Sequence, residues 1–189
     1  MHNFIVHKEL LNECVTLATP NVDVLCSNRS THEAEAALLG QMAREMALKY
    51  ALEPVIGGYD AVLLDASPSI SVLQSCSMMF AGAVVIPVAM DLLSITGAQT
   101  SIQTVQMLNR IYNTRIQVVG FLPTVVNARL QATAVVQTAL KELSELHGGL
   151  PILPAIRDDP KSKAAEDYTV AFDVVTNYLN HVGESAKAS

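Results

Sequence analysis

The sequence lacks tryptophan and is poor in aromatic residues, which make up 5% of its 189 residues. Charged residues are also scarce at 16%, whereas hydrophobic residues reach 50%. This composition argues strongly against a disordered chain, because disordered segments are rich in charge and poor in apolar residues. Small aliphatic side chains must supply most of the packing, which suits helices packed closely on a parallel sheet.

Cysteine occurs only three times, at Cys14, Cys26 and Cys76, without Cys-x-x-Cys spacing. This argues against a disulfide framework or a zinc site and favours reduced thiols in a cytosol, with Cys26 and Cys76 in the core.

The chain opens without the pattern of a signal peptide, and its longest apolar run, 78–90, is interrupted by glycine and proline. We therefore expect a cytoplasmic protein without a membrane anchor.

A phosphate-binding loop is also absent: none of the nine glycines is followed by lysine, so no Gly-x-x-x-x-Gly-Lys-Ser/Thr occurs. What is present is an apolar run, 62–64, that ends in Asp65 and a Ser/Pro turn. We expect a strand over 61–65, buried on both faces, with Asp65 at the carboxyl end where open α/β sheets bind ligands. A carboxylate there can hold hydrated Mg²⁺ beside a nucleotide phosphate, so the chain carries half of a nucleotide site.

Strand-like and helix-like segments alternate along the rest of the chain. The predicted strands are 22–26, 61–65, 83–88, 116–124 and 150–156. A helix begins at the capping box Ser30–Glu33 and continues through Leu38, Met42, Met46 and Tyr50; a short one follows at 72–80. The later helices have apolar faces at residues 102, 105, 108 and 112, at 135, 139, 143 and 146, and at 168, 172, 175 and 179. This order predicts one α/β domain over 1–182, doubly wound around a mostly parallel sheet with helices on both faces, and a polar tail over 183–189.

Several loose motifs follow one another in a set order. They are Asn21–Asn28, then Tyr59-Asp60 with Asp65 and Pro68-Ser69, Ile86-Pro87-Val88, Ser94 with Gly97, Gly120–Thr124 with Asn127, Leu153-Pro154 with Arg157, Lys163-Ala164, and Thr169-Val170. Their order and spacing resemble the ParA/MinD family of partition and positioning ATPases, the deviant-Walker P-loop proteins. The resemblance extends over nearly the whole chain.

The resemblance implies ATP and Mg²⁺ as ligands. Asp65 takes the Walker B position and holds Mg²⁺ through water, while Ser67, Pro68 and Ser69 form a switch-like turn that senses the γ-phosphate. The family usually has proline where this chain has Ser67, which alters the turn slightly.

The resemblance also implies a site for the base. Asn127 lies against the adenine, and the loop from Pro154 to Asp158, which includes Arg157, lies on its other side.

The family begins with a strand, a Lys-Gly-Gly-x-x-Lys-Thr loop with its helix, and a strand with an essential Asp; this sequence contains none of them. Because phosphoryl transfer depends on positioning and charge stabilisation, we do not expect this chain to hydrolyse ATP by itself. A truncated reading frame, completion by another chain and a degenerate scaffold all stay open as explanations. The undecayed motifs favour truncation.

Members of the family bind non-specific DNA as ATP-bound dimers and respond to a ParB-like activator, so the resemblance implies a homodimer, such an activator and nucleoid DNA. The basic candidates for DNA contact are Arg110, Arg129, Lys141, Lys161 and Lys163. The alternative is that these side chains form solvated helix faces, since the net charge is −6. The absence of an amphipathic C-terminal tail favours DNA over a membrane.

Two other interpretations account for part of the sequence. A receiver domain shares the Tyr-Asp-x-Val-Leu-Leu-Asp strand, but no lysine occurs between Lys49 and Lys141 where its lysine belongs. A non-hydrolysing scaffold that retains dimer or partner surfaces is the stronger alternative.

Overall fold

The computed structural model describes residues 1–28, 31–66, 71–127, 131–159 and 164–187. The chain divides into two units, Met1–Gly82 and Ala83–Ser189. Each unit has its own apolar core. In the described ranges, no helix is long and apolar enough to cross a membrane. The single domain over 1–182, with its tail over 183–189, stays a prediction.

The first unit consists of short helices and one hairpin. Its elements are α1 (His2–Val6), α2 (Leu11–Cys14), β1 (Thr16–Thr19), β2 (Val22–Val24), α3 (Thr31–Leu39), a 3-10 helix (Arg44–Met46), α4 (Ala47–Leu52), a second 3-10 helix (Ile56–Gly58) and α5 (Val72–Ala81). β1 and β2 pair antiparallel. The core is formed by Phe4, Ile5, Leu38, Leu48, Leu52 and Cys76. Cys76 is fully buried, which confirms it as a core residue, and this burial raises the pKa of its thiol to about 11. Cys26 is exposed, so the prediction that it lies in the core is wrong.

The strand predicted over 61–65 does not form. Residues 61–66 belong to no strand, and Leu63 is 97% exposed, although Leu64 packs against the core of the first unit. A strand forms only where a neighbouring strand bonds to its N–H and C=O groups. The strands β1 and β2 of the same unit pair with each other and not with residues 61–65. The prediction that the apolar run 62–64 forms a paired strand buried on both faces is therefore wrong.

The single helix predicted through Leu38, Met42, Met46 and Tyr50 is also wrong. α3 ends at Leu39, Ala43 adopts a positive φ of 51°, and α4 begins only at Ala47. Met42 is 98% exposed in the turn. The turn allows Leu38 of α3 and Leu48 of α4 to enter the same core, a gain that helical spacing alone does not reveal.

The second unit is built on parallel strands. Its elements are β3 (Ala83–Ala89), α6 (Leu92–Tyr112), β4 (Gln117–Thr124), α7 (Gln131–Leu146) and α8 (Ala164–Lys187). β3 and β4 pair in parallel, so α6 is the crossover between them. On the other side of β4, the predicted strand 150–156 is reduced to parallel bridges of Phe121 with Ile152 and of Val126 with Arg157.

The core of the second unit contains Ile86, Val88, Ala98, Ile102, Phe121, Leu140 and Leu143. The face of α7 is rotated from the prediction, since Val136 is buried and Val135 exposed. On α8, Ala171 is buried, whereas Tyr168 and Phe172 are exposed. On α7 the predicted Leu143 is buried, but Val136 and Leu140 take the places predicted for Val135 and Ala139. Helical spacing gives the period of an apolar face, whereas contact with the rest of the unit decides which side of the helix is covered.

Gly120 has a requirement of its own in β4. A Cβ at this position would lie 2.5 Å from the carbonyl oxygen of Pro151, which accepts a 2.8 Å hydrogen bond from the N–H of Phe121. Only glycine allows this close approach of the two backbones.

We expect Gly120→Ala to lower the free energy of unfolding by about 1–3 kcal/mol, because Pro151 must move and its bond to Phe121 must stretch. The measurement is urea unfolding followed by circular dichroism. Gly97→Ala in α6 is the matched control: nothing lies within 4 Å of its Cβ, and alanine favours the helix by up to ~1 kcal/mol. Similar losses in both variants would contradict the close-approach argument.

Candidate functional site

Asp65, the predicted metal ligand, lies in the first unit near the end of the extended segment 61–66. The start of this segment is tied to the hairpin, because the Tyr59 hydroxyl donates a 2.7 Å hydrogen bond to Asp23 of β2. That bond raises the pKa of Tyr59.

The side chain of Asp65 is exposed, and in the described part of the chain no group of three or more His, Cys, Asp or Glu side chains could hold a metal ion. A single accessible carboxylate suits Mg²⁺, which is commonly held by one or two carboxylates together with water and phosphate oxygens. Asp65 thus fits as one ligand and not as a complete site. The predicted switch turn, Ser67, Pro68 and Ser69, lies outside the described residues.

The predicted base-binding residues come together in the second unit. Beyond β4, the chain runs parallel to residues 153–158: the N–H of Ile156 donates to Pro123 O (2.8 Å), the N–H of Val126 to Ile156 O (3.0 Å), and the N–H of Asp158 to Val126 O (3.0 Å). Asn127 is the next residue after Val126. Pro154, Arg157 and Asp158 therefore follow the backbone that leads to Asn127, at the carboxyl edge of the parallel strands.

Asn127 is half-buried and is held by the start of α7. Its main-chain oxygen accepts a 2.8 Å hydrogen bond from the hydroxyl of Thr133, which is itself buried. The bond fixes the chain where it leaves the sheet edge.

Arg157 is engaged by a residue that the sequence reasoning missed. Asp167, in the first turn of α8, accepts hydrogen bonds from Arg157 Nε (2.7 Å), Arg157 Nη2 (2.5 Å) and the Arg157 main-chain N–H (3.0 Å). These bonds lower the pKa of Asp167 to about 2 and raise the pKa of Arg157. An acid in the first turn of a helix is a signal for capping, but nothing in the sequence indicates Arg157 as its partner.

Asp91 is a second residue that the sequence reasoning missed. It caps α6 directly after β3: its carboxylate accepts a 2.8 Å bond from the N–H of Ser94 and a 2.9 Å bond from the Ser94 hydroxyl. These bonds lower the pKa of Asp91 and show that Ser94 of the motif serves the cap. The spacing of Asp91 and Ser94, three residues apart at the start of a helix, is a sequence pattern that indicates such a cap.

The predicted DNA-contacting residues are only partly described. Arg110 lies exposed in the last turn of α6 and Lys141 exposed on α7, whereas Arg129, Lys161 and Lys163 lie outside the described residues. Because α6 runs from the end of β3 to the start of β4, Arg110 lies at the amino edge, opposite Asn127. A common DNA surface stays a prediction.

A protein-family model described as an AAA domain matches residues 1–118 of the chain.

Two characterised relatives align with half of the chain. The cell division protein PomZ of Myxococcus xanthus (strain DK1622) is 36% identical over 94 residues, which cover 50% of this chain and 30% of PomZ. The sporulation initiation inhibitor protein Soj of Bacillus subtilis (strain 168) is 32% identical over 94 residues, which cover 50% of this chain and 37% of Soj. The aligned half of the chain thus spans about a third of the length of these relatives.

Solved structures confirm the α/β fold class of a P-loop NTPase. Cobyrinic acid a,c-diamide synthase from Mycobacterium smegmatis superposes with a TM-score of 0.77 at 28% identity, over 88% of this chain and 67% of that chain. Its complex with ADP and magnesium superposes with a TM-score of 0.80 at 24% identity, over 94% and 71%.

The pH dependence of stability tests the Arg157–Asp167 pair. The carboxyl of Asp167 binds its proton more tightly in the unfolded chain, where its pKa is near 3.8, than in the folded chain, where it is about 2. The pair therefore stabilises fully above about pH 4, and this contribution is lost as the pH falls towards 2.

We expect Asp167→Asn to unfold at lower urea concentration than the wild type at pH 6, and the two curves to converge as the pH approaches 2. Asp173→Asn, an exposed carboxylate on the same helix, serves as the control and should follow the wild type at every pH. A gap for Asp167→Asn that is independent of pH would contradict the ion pair.

Proposed function

The chain belongs to the ParA/MinD-type family of partition ATPases, and on that premise we propose that it is the greater part of a ParA-like protein that segregates DNA. In the proposed function, a nucleotide gates dimerisation on nucleoid DNA and a ParB-like activator triggers release. The observation that carries this proposal is the convergence of Asn127 with Pro154, Arg157 and Asp158 at one sheet edge. In open α/β sheets, ligands bind outside the carboxyl ends of the strands.

The nucleotide roles are divided between two groups of residues. In the second unit, Asn127 and the loop from Pro154 to Asp158 would contact the base. In the first unit, Asp65 would be a ligand of Mg²⁺, and Ser67, Pro68 and Ser69 would sense the γ-phosphate. ADP and magnesium in the Mycobacterium smegmatis structure support these ligands for the fold. Bound Mg²⁺ would neutralise phosphate charge; Asp65 would orient it.

Hydrolysis belongs to a protein that also holds a phosphate-binding lysine. No glycine of this sequence precedes lysine, and the side chain of Arg157 is already paired with Asp167. Phosphoryl transfer depends on charge stabilisation around the γ-phosphate, so the residues present support weak nucleotide binding without turnover.

The proposed DNA contact uses Arg110, Arg129, Lys141, Lys161 and Lys163 in a homodimer. Because each phosphate contact releases counterions, binding should weaken steeply as salt rises.

The alternative function is a scaffold that keeps the dimer or partner surfaces without turnover. The first unit exposes apolar side chains, among them Leu63 and Met42, but single exposed residues of this kind do not separate a stable scaffold from an incomplete domain. A thermal melt of the purified chain with and without Mg·ATP separates the two: a cooperative melt that Mg·ATP does not shift supports the scaffold, whereas aggregation supports the incomplete domain.

Asp65→Ala tests the metal role in a protein completed with a P-loop segment of the family. We expect Mg·ATP-dependent dimerisation to be abolished, because the metal loses its protein carboxylate. Asp60→Ala is the matched control, since it removes the same charge from an exposed residue of the same stretch. Sedimentation velocity in Mg·ATP measures the dimer, and normal dimers of Asp65→Ala would show that the assigned role is wrong.

A further inference from the structure

Asp167 accepts three hydrogen bonds, all of them from Arg157. Two of its hydrogen bonds form the bidentate fork that suits a guanidinium and a carboxylate, and the third comes from the main-chain N–H of Arg157. The side chain of Asp167 is only 13% exposed, compared with 46% for Arg157. The carboxylate thus fixes both the side chain and the backbone of Arg157.

The backbone of Arg157 is part of the loop that faces Asn127. On one side of it, the N–H of Ile156 is bonded to Pro123; on the other, the N–H of Asp158 is bonded to Val126. A shift of Arg157 must therefore shift both bonds and the strand end that carries Asn127.

α8 contacts β4 at the first residue of the strand and contacts the segment beside β4 near the carboxyl end. The Tyr178 hydroxyl donates a 2.9 Å hydrogen bond to Gln117, the first residue of β4, while Asp167 contacts Arg157 beside the carboxyl end. α8 therefore runs back along β4, and its first turn is held at the sheet edge by Asp167.

We propose that Asp167 is a positioning residue that fixes the loop 154–158 beside Asn127 and so makes the first turn of α8 part of the nucleotide-base edge. The link to the nucleotide rests on the proposed function, whereas the positioning of the loop does not. In this arrangement Arg157 supports the loop and its charge is balanced by Asp167, so it is not a free cation for phosphate.

Amide hydrogen exchange of the whole 189-residue chain, measured by NMR, tests the positioning. In Asp167→Asn we expect the N–H groups of Ile156 and Asp158 to exchange about ten-fold faster, because charge-assisted bonds that hold the loop are lost. The N–H of Leu153, bonded to Phe121 farther along the same segment, should keep its rate and so exclude global unfolding as the cause.

Two further variants complete the exchange test. Tyr178→Phe removes the hydrogen bond from α8 to Gln117 at the opposite end of β4 and should leave Ile156 and Asp158 at their wild-type rates. Asp167→Glu keeps the charge and should restore part of the protection that Asp167→Asn loses. Wild-type rates at Ile156 and Asp158 in Asp167→Asn, or equal acceleration in Tyr178→Phe, would overturn the proposal.

Titration with Mg·ADP, followed at the N–H of Asn127, tests the link to the nucleotide. We expect binding to be several-fold weaker in Asp167→Asn and unchanged in Tyr178→Phe. If Asp167→Asn and the wild type bind Mg·ADP with equal affinity, the proposal that the first turn of α8 is part of the nucleotide-base edge is wrong. If the wild type shows no response at Asn127, the proposed base site is wrong, and the exchange rates alone decide the positioning.

Discussion

The second unit depends on the backbone of β4 being bonded on both sides. Phe121, fully buried, pairs with Ile86 of β3 on one side and with Ile152 on the other. Parallel pairing places the carboxyl ends of all three segments at one edge, and Gly120 permits the close approach of Pro151. The candidate base site follows from this arrangement of backbones, since its residues are the ones that leave the sheet at that edge.

The charges of this edge are largely satisfied by the protein itself. The carboxylate of Asp91 is held by Ser94 at the start of α6, and that of Asp167 by Arg157 at the start of α8. Both carboxylates lie in positions where the partial positive charge of a helix terminus also favours them. The paired charges therefore hold the loops of this edge in place.

Asn127 and the loop from Pro154 to Asp158 were predicted from the family resemblance. The structure brings them to one edge because the segment 153–158 runs parallel to β4 and to the residues that follow it. Asp167 could not be found in this way, because its partner Arg157 belongs to another element and many acids begin helices. The metal role of Asp65 also stays a prediction, because it was inferred from the order of segments and no observation tests it.

The sequence by itself determined where most elements lie, since β-branched runs such as 83–88 and a cap such as Asp91 act on their own neighbours. It also determined the fold class, through the order of strands and helices. Only the tertiary structure decided which extended segments became strands, because 61–65 needs a partner for its backbone and has none within the described residues. It likewise decided that α8 buries Ala171 and exposes Phe172, because burial depends on which side of the helix meets the rest of the unit and not on the apolar character of a residue alone.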